Sequence, residues 1–177
     1  LYDTATYVSA ATTNLSLFAQ TNADKTLSNM ESSGQLPDPQ FLVVHYVTCD
    51  FLITPIANAA HAAAAGVLND IDLLLKAGRA TFTFNMSNKN YGPFPLMSCH
   101  SLGGATGVGF GTLTAEASIT QGNNGIPGSG GFPFMGSLVI PPKVGFGVTL
   151  NWSSAQTLSA NALIRIGLAG VLYRRVL

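Results

Sequence analysis

The stretch that most limits what this chain can become is Val144-Gly-Phe-Gly-Val-Thr-Leu-Asn-Trp152. Val144, Phe146, Val148, Leu150 and Trp152 alternate with Gly145, Gly147, Thr149 and Asn151. A period of two sends one set to each face of an extended chain, so the pattern predicts a strand with one apolar face rather than a helix. Gly145 and Gly147 weaken such a strand because they bring no side chain to pack, and they predict that something large lies flat on their face. Pro141 and Pro142 just upstream cannot donate to a ladder and mark an edge or a turn into the strand. Later in the chain Ile164, Ile166 and Leu168 alternate with Arg165, Gly167 and Ala169, and Leu172 resumes the phase after Gly170. These two strands are expected to be partners in the floor of one sheet.

Other segments repeat the extended pattern. Thr12 to Ala19, with Leu15 and Leu17, is expected to be the first strand, followed by a polar loop from Thr21 to Gln40 that contains Gly34, Pro37 and Pro39. Phe41 to Thr54 is apolar in both phases and rich in β-branched and aromatic residues, which predicts a strand buried on both faces. Asn58 to Gly66 is Ala-rich without an amphipathic stripe, and helix and loop both remain open there. Asn69 to Ala77 predicts a short helix. Asn69 caps it, Asp70 and Asp72 fall in the first turn, Lys76 in the last, Gly78 ends it, and Ile71, Leu74 and Leu75 share a face.

Phe82, Phe84 and Met86 then alternate with Thr81, Thr83 and Asn85, a strand within Arg79 to Met86. Asn88 to Thr106 is broken by Pro93, Pro95, Gly103 and Gly104 and reads as a loop. Val108 to Thr120 changes phase midway, as a strand with a bulge near Gly111 does. A Gly, Asn and Ser loop covers Gln121 to Gly131, Phe134 to Ile140 is a further strand, and Ser153 to Ala162 is a polar connection. Seven or eight strands with long loops and no βαβ rhythm predict an antiparallel sandwich. The 177 residues fit a single domain, 1–177.

Charge narrows the functional classes. Only 9% of residues are charged and 47% are hydrophobic, with eight acids balancing eight bases. An ordinary globular domain carries roughly 25% charged residues. A surface this short of charge favours association, so much of it is expected to be covered by other copies or partners. Arg174 and Arg175 are the only adjacent bases, too few for a phosphate-tracking surface, so no nucleic-acid site is expected. Phe51 to Leu68 has about the length of a membrane span, but it carries Pro55, Asn58 and His61 and is mostly Ala, so it is read as soluble structure. No export signal is evident, and Cys49 and Cys99 are expected to be buried thiols rather than a disulfide.

The residues that invite chemistry do not assemble into a site. His45 and Cys49 lie four apart on a strand and so share a face. With His100 they approach a zinc set, but no second pair stands at ligand spacing. Cys99-His100-Ser101 are adjacent and point apart, whereas catalytic partners are normally distant in sequence. Asp70 and Asp72 are two apart on the expected helix, do not face each other, and serve its dipole. Gly107-Val-Gly-Phe-Gly111 runs into a strand pattern with no Lys after it, so neither nucleotide fingerprint applies. Asn14, Asn85 and Asn151 begin N-x-Ser triplets by chance. No catalytic residue, cofactor or metal ion is expected, and the remaining classes are a self-associating structural protein and a carbohydrate-binding sandwich.

Several segments in order resemble the jelly-roll capsid proteins of tailless icosahedral bacteriophages. They are Phe18 with Lys25-Thr-Leu-Ser-Asn29 and Gly34-Gln-Leu-Pro37, then Asp70-Ile-Asp-Leu-Leu-Leu-Lys-Ala-Gly78 running into Thr81-Phe-Thr-Phe84 and Asn88-Lys-Asn-Tyr91. Ile140-Pro-Pro142, Val148-Thr-Leu150, Ile164-Arg-Ile166 and Gly170-Val-Leu-Tyr-Arg174 complete the series. The length is similar to that of the single jelly-roll coat proteins of the internal-membrane phages of Thermus, and about half that of the related double jelly-roll coat proteins. The resemblance implies an all-β, eight-stranded antiparallel jelly-roll sandwich with one short helix in a loop. It implies a virion capsid protein without an active site, made in the host cytoplasm. Its partners would be copies of itself, other capsid proteins of the same virion and an internal membrane. The alternative is a carbohydrate-binding β-sandwich on a virion or cell surface.

Overall fold

The computed structural model describes residues 1–52, 70, 73–99, 131–158 and 160–174. Within them the chain is all-β. One sheet holds, side by side, β1 (Tyr2–Tyr7), β8 (Ala162–Tyr173), β3 (Phe41–Leu52) and β6 (Phe132–Ile140). The other holds β2 (Asn14–Leu17), β7 (Phe146–Asn151), β4 (Thr81–Met86) and β5 (Lys89–Pro95). Every pairing is antiparallel: β1 with β8, β2 with β7, β3 with β6, and β4 with β5. The first four strands thus pair with the last four from the ends inward. The β3–β8 and β7–β4 ladders join these pairs into sheets.

The inner faces follow from alternation. Phe146, Val148 and Leu150 of β7, and Phe82 and Phe84 of β4, are buried on one side of the core. Ile164, Ile166 and Leu168 of β8 are buried on the other, with Leu42, Val44, Val47, Cys49 and Phe51 of β3. Aromatic rings bridge the sheets edge to face, Phe82 on Phe132 at 5.3 Å and Phe84 on Phe134 at 6.0 Å between centroids, a preferred geometry for π systems. Trp152 closes one end: its ring stands 4.9 Å from that of Tyr7, and its indole N–H donates to the Leu74 carbonyl at 3.0 Å. Phe18, 5.8 Å from Phe146, fills the other end.

Several expectations change. The strands at Phe146–Asn151 and Ala162–Tyr173 are not neighbours but lie in opposite sheets. Matching apolar phases bring two strands to one core, and facing each other across it satisfies both as well as pairing does. The first strand is Tyr2–Tyr7, ahead of a shorter Asn14–Leu17. The loop expected after Asn88 contains β5, at the edge of its sheet among the described residues, where the missing N–H groups of Pro93 and Pro95 cost no ladder bond to a further described strand.

β3 is buried along one face, and on the other only Thr48 among its residues is buried. A register shift between Val44 and Tyr46 inserts one residue, so Leu42 and Val44 point inward and then Val47, Cys49 and Phe51 do, while Tyr46 is exposed. Of the expected helix, the described residues are Asp70, which is α-helical, and a π turn, Leu73–Ala77, closed by the Gly78 N–H on the Leu73 carbonyl at 2.8 Å. The Leu74 carbonyl, which an α turn would offer to Gly78, takes the Trp152 indole instead. Nor is Gly78 the left-handed stop, since Arg79 has the positive φ of 49°. Gly78 is needed because a Cβ there would lie 2.6 Å from Trp152 Cδ1. Asn58 to Gly66 and the strand expected at Val108 to Thr120 lie outside the described residues.

Candidate functional site

Among the described residues, His45 and Cys49 are kept apart. The bulge that rephases β3 takes His45 off the face of Cys49, so their spacing of four does not bring them to one side. His45 Nδ1 lies 3.2 Å from Ser137 Oγ on β6, while Cys49 faces the core. Asp70 is buried. His100, Ser101, Asp72 and Gly107 to Gly111 lie outside the described residues. All three asparagines of the N-x-Ser triplets are tied across strands: Asn14 Nδ2 donates to Asn151 Oδ1 at 2.6 Å, and Asn85 Nδ2 donates to Thr149 Oγ1 at 2.8 Å.

Cys49 and Cys99 are both buried and form no disulfide. Burial pushes both thiols above their ordinary value; for Cys49 the nearness of Cys99 and then of Asp50 adds to the effect. A thiol nucleophile acts as the thiolate, and these surroundings hold the proton on.

The linkage follows with a definite sign. Above pH 9.0, the ordinary thiol value, the unfolded chain releases these protons while the folded chain keeps them. The folded state then binds more protons, so stability falls as pH rises and is unaffected by the thiols at lower pH. The limiting slope is about 1.4 kcal/mol per pH unit for each thiol. Urea midpoints taken from pH 7 to 10.5 should fall more steeply above pH 9 for the parent than for Cys49→Ala; equal slopes would mean the thiols are not buried.

One concave feature of the described surface is an open depression of about 360 Å³ on the outer face of the second sheet. Ser16 of β2, Thr149 of β7, Asn85 of β4 and Ser87 of the following turn supply hydroxyl and amide groups, and Gly34, Gly145 and Gly147 leave the floor low. A Cβ on Gly145 would meet only the Gly34 carbonyl oxygen, at 4.0 Å. Of the two glycines that predicted a large neighbour on this face, Gly145 leaves open space among the described residues, whereas a Cβ on Gly147 would lie 3.2 Å from the Leu17 carbonyl oxygen. Main-chain bonds hold the rim: Phe146 N–H to the Gly34 carbonyl at 2.8 Å, Gly34 N–H to the Phe18 carbonyl at 2.9 Å, and Ser87 N–H to the Gly145 carbonyl at 2.7 Å.

Among the described residues no ionisable side chain lines the depression, and this lining offers hydrogen bonds to a neutral polar group. A neighbouring hollow of about 350 Å³ contains Asp3, whose Oδ2 already accepts from the Phe18 N–H at 2.5 Å. The glycine pair was the sequence signal for this place. Ser16, Asn85 and Ser87 gave none, because strand pairing alone brings them together. No family model, curated protein or solved structure matches this chain.

Proposed function

We propose that the chain is a jelly-roll coat protein that associates with copies of itself into the shell of a tailless icosahedral virion. The observation that carries the reading is the pairing order, β1 with β8 through β4 with β5, in two four-stranded sheets ordered 1-8-3-6 and 2-7-4-5. That order is expected when one long antiparallel hairpin is wound into two Greek keys, the eight-strand architecture used by viral capsid and lectin domains. Fold alone does not assign function. Two properties favour a scaffold over a catalyst: the space between the sheets is filled by apolar side chains, and the surface is short of charge. A packed interior leaves the outer faces and loops to do the work, and such a surface favours association.

Sedimentation velocity from micromolar to millimolar protein, with electron microscopy of the heaviest species, tests this. Concentration-dependent growth into regular assemblies is expected, and a clean monomer over the whole range would sink the reading. The open, uncharged depression around Gly145 and Gly147 favours the alternative, a carbohydrate-binding sandwich, because a neutral polyol matches its hydroxyl and amide lining. Glycan-array binding lost in Asn85→Ala, without higher assembly, is the result that would prefer it.

A further inference from the structure

We propose that the outer face of the first sheet, at its Phe41–Tyr173 end, is the surface through which two copies of this chain pack together about a two-fold axis. The proposal rests on the self-associating reading above and names the surface that makes the contact. Val43 of β3 is in register with Val139 of β6 on one side and Val171 of β8 on the other. Neighbouring strands lie about 4.8 Å apart, so these three valines form one continuous apolar row. Two residues along, Phe41 is in register with Tyr173 and stacks on it, with centroids 4.5 Å apart and planes 9° from parallel. Beyond the bulge, Tyr46 points to the same side. Tyr46 is 41% exposed, Val139 and Val171 are each 46% exposed, and Tyr173 is 49% exposed.

A solvated sheet face alternates apolar-in with polar-out, and the outward residues of the second sheet obey this with Ser16, Thr83, Asn85 and Thr149. The Val43 row breaks the rule. Its exposed area is on the order of 350 Å², counting each tyrosine as about half of the roughly 200 Å² an aromatic buries, which falls within the size of patches that mark interaction sites. A stable interface buries about 800 Å² per partner, with an apolar centre and a polar rim. The row has the size of such a centre, and exposed Ser137 on β6 is placed to contribute to the rim.

Charge and supply identify the occupant. None of the six residues is charged, and the nearby Arg174 and Glu31 already pair with each other at 3.1 Å, so a charged partner finds no complement here. Among the described residues the other large exposed hydrophobics are Val8, which follows β1 at the opposite end of the sheet, and Met97, in the single turn after β5. Each stands alone. Among the described residues, the matching apolar surface that a second copy brings is this same face, and a patch that meets itself makes a closed two-fold contact. Two sheets meeting this way stack about 10 Å apart.

The test uses the full chain. Val171→Lys should weaken dimerisation in sedimentation velocity by roughly 100-fold or more, as expected when a charge is forced into an interface centre. Asn88→Lys, with the same charge on the β4–β5 turn, should leave it unchanged. Tyr173→Ser serves as a second variant should Val171→Lys lose its cooperative melting. Mild oxidation of Val139→Cys, Val171→Cys and a mixture of the two covers both directions in which the axis can cross the row, and at least one should yield a reducible covalent dimer. If the parent associates but Val171→Lys and Tyr173→Ser associate equally well, the proposal fails while self-association stands. If the parent is a monomer at every concentration, both fail. If no cysteine variant cross-links, or the face instead binds neutral phospholipid vesicles without dimerising, the two-fold contact is overturned.

Discussion

Replacing Phe146 by alanine is expected to lower the stability of this protein by about 3–5 kcal/mol, the range for truncating a buried phenylalanine in a packed core. Phe146 is 6% exposed, and its ring lies 5.8 Å from Phe18 and 6.5 Å from Phe84. It sits on β7, which is flanked on both sides by β2 and β4, so neighbouring strands cannot close over the void without breaking a ladder. Domains are stable by only about 5–15 kcal/mol, and this one change removes a large part of that. Urea unfolding of Phe146→Ala beside Asn90→Ala measures it. The exposed site should stay within about 0.5 kcal/mol of the parent. A Phe146→Ala midpoint equal to the parent's would place the ring outside the core.

The second large effect is expected at Gly170. A Cβ there would lie 1.9 Å from the Val43 carbonyl oxygen, 2.9 Å from its carbonyl carbon and 3.0 Å from Val44 Cα. All three are main-chain atoms of β3, so no side-chain rotation relieves the contact and the two strands must separate. Gly170 also stands opposite Val44, beside the bulge that sets which residues of β3 face the core. Gly170→Ala should cost about 3 kcal/mol, the upper part of the usual range for overpacking. Gly145→Ala makes the contrast, because its Cβ enters open space; it should leave stability unchanged or raise it by about 0.5 kcal/mol through the unfolded state. Thermal melts of the two variants should differ plainly, and equal midpoints would mean that β3 and β8 do not approach as closely as described.

The strands that could be read from the chain are those with one unbroken phase. Phe146 to Asn151, Thr81 to Met86 and the Ile164 to Leu168 part of β8 each face the core with every second residue, and burial follows that alternation. β1 escaped because its inward positions include Asp3 and Ala5 beside Tyr7, too little apolar contrast to register as a pattern. β5 escaped because a register shift opposite Thr83 separates its inward Tyr91 and Phe94 by three residues, with Gly92 and Pro93 between them. In β3 both phases are apolar, and only the pairing with β6 and β8 decides where the extra residue goes.

The candidate surfaces divide in the same way. Gly145 and Gly147 announced that one place on the outer sheet face would lack side chains. The apolar row was spread over Val43, Val139 and Val171, more than 90 positions apart for its first two members (139 − 43) and about 30 for the last two (171 − 139). Nothing within any one of these segments links the three. By itself the amino-acid sequence determined the all-β class, the identity of several strands and which of their residues face inward, because the pleat ties alternation to burial within a single segment. Only the tertiary structure decided which strands are neighbours, which lie across the core and which outward residues meet. Those choices depend on backbone pairing between distant segments, and a hydrogen-bonded ladder is nearly indifferent to the side chains it joins.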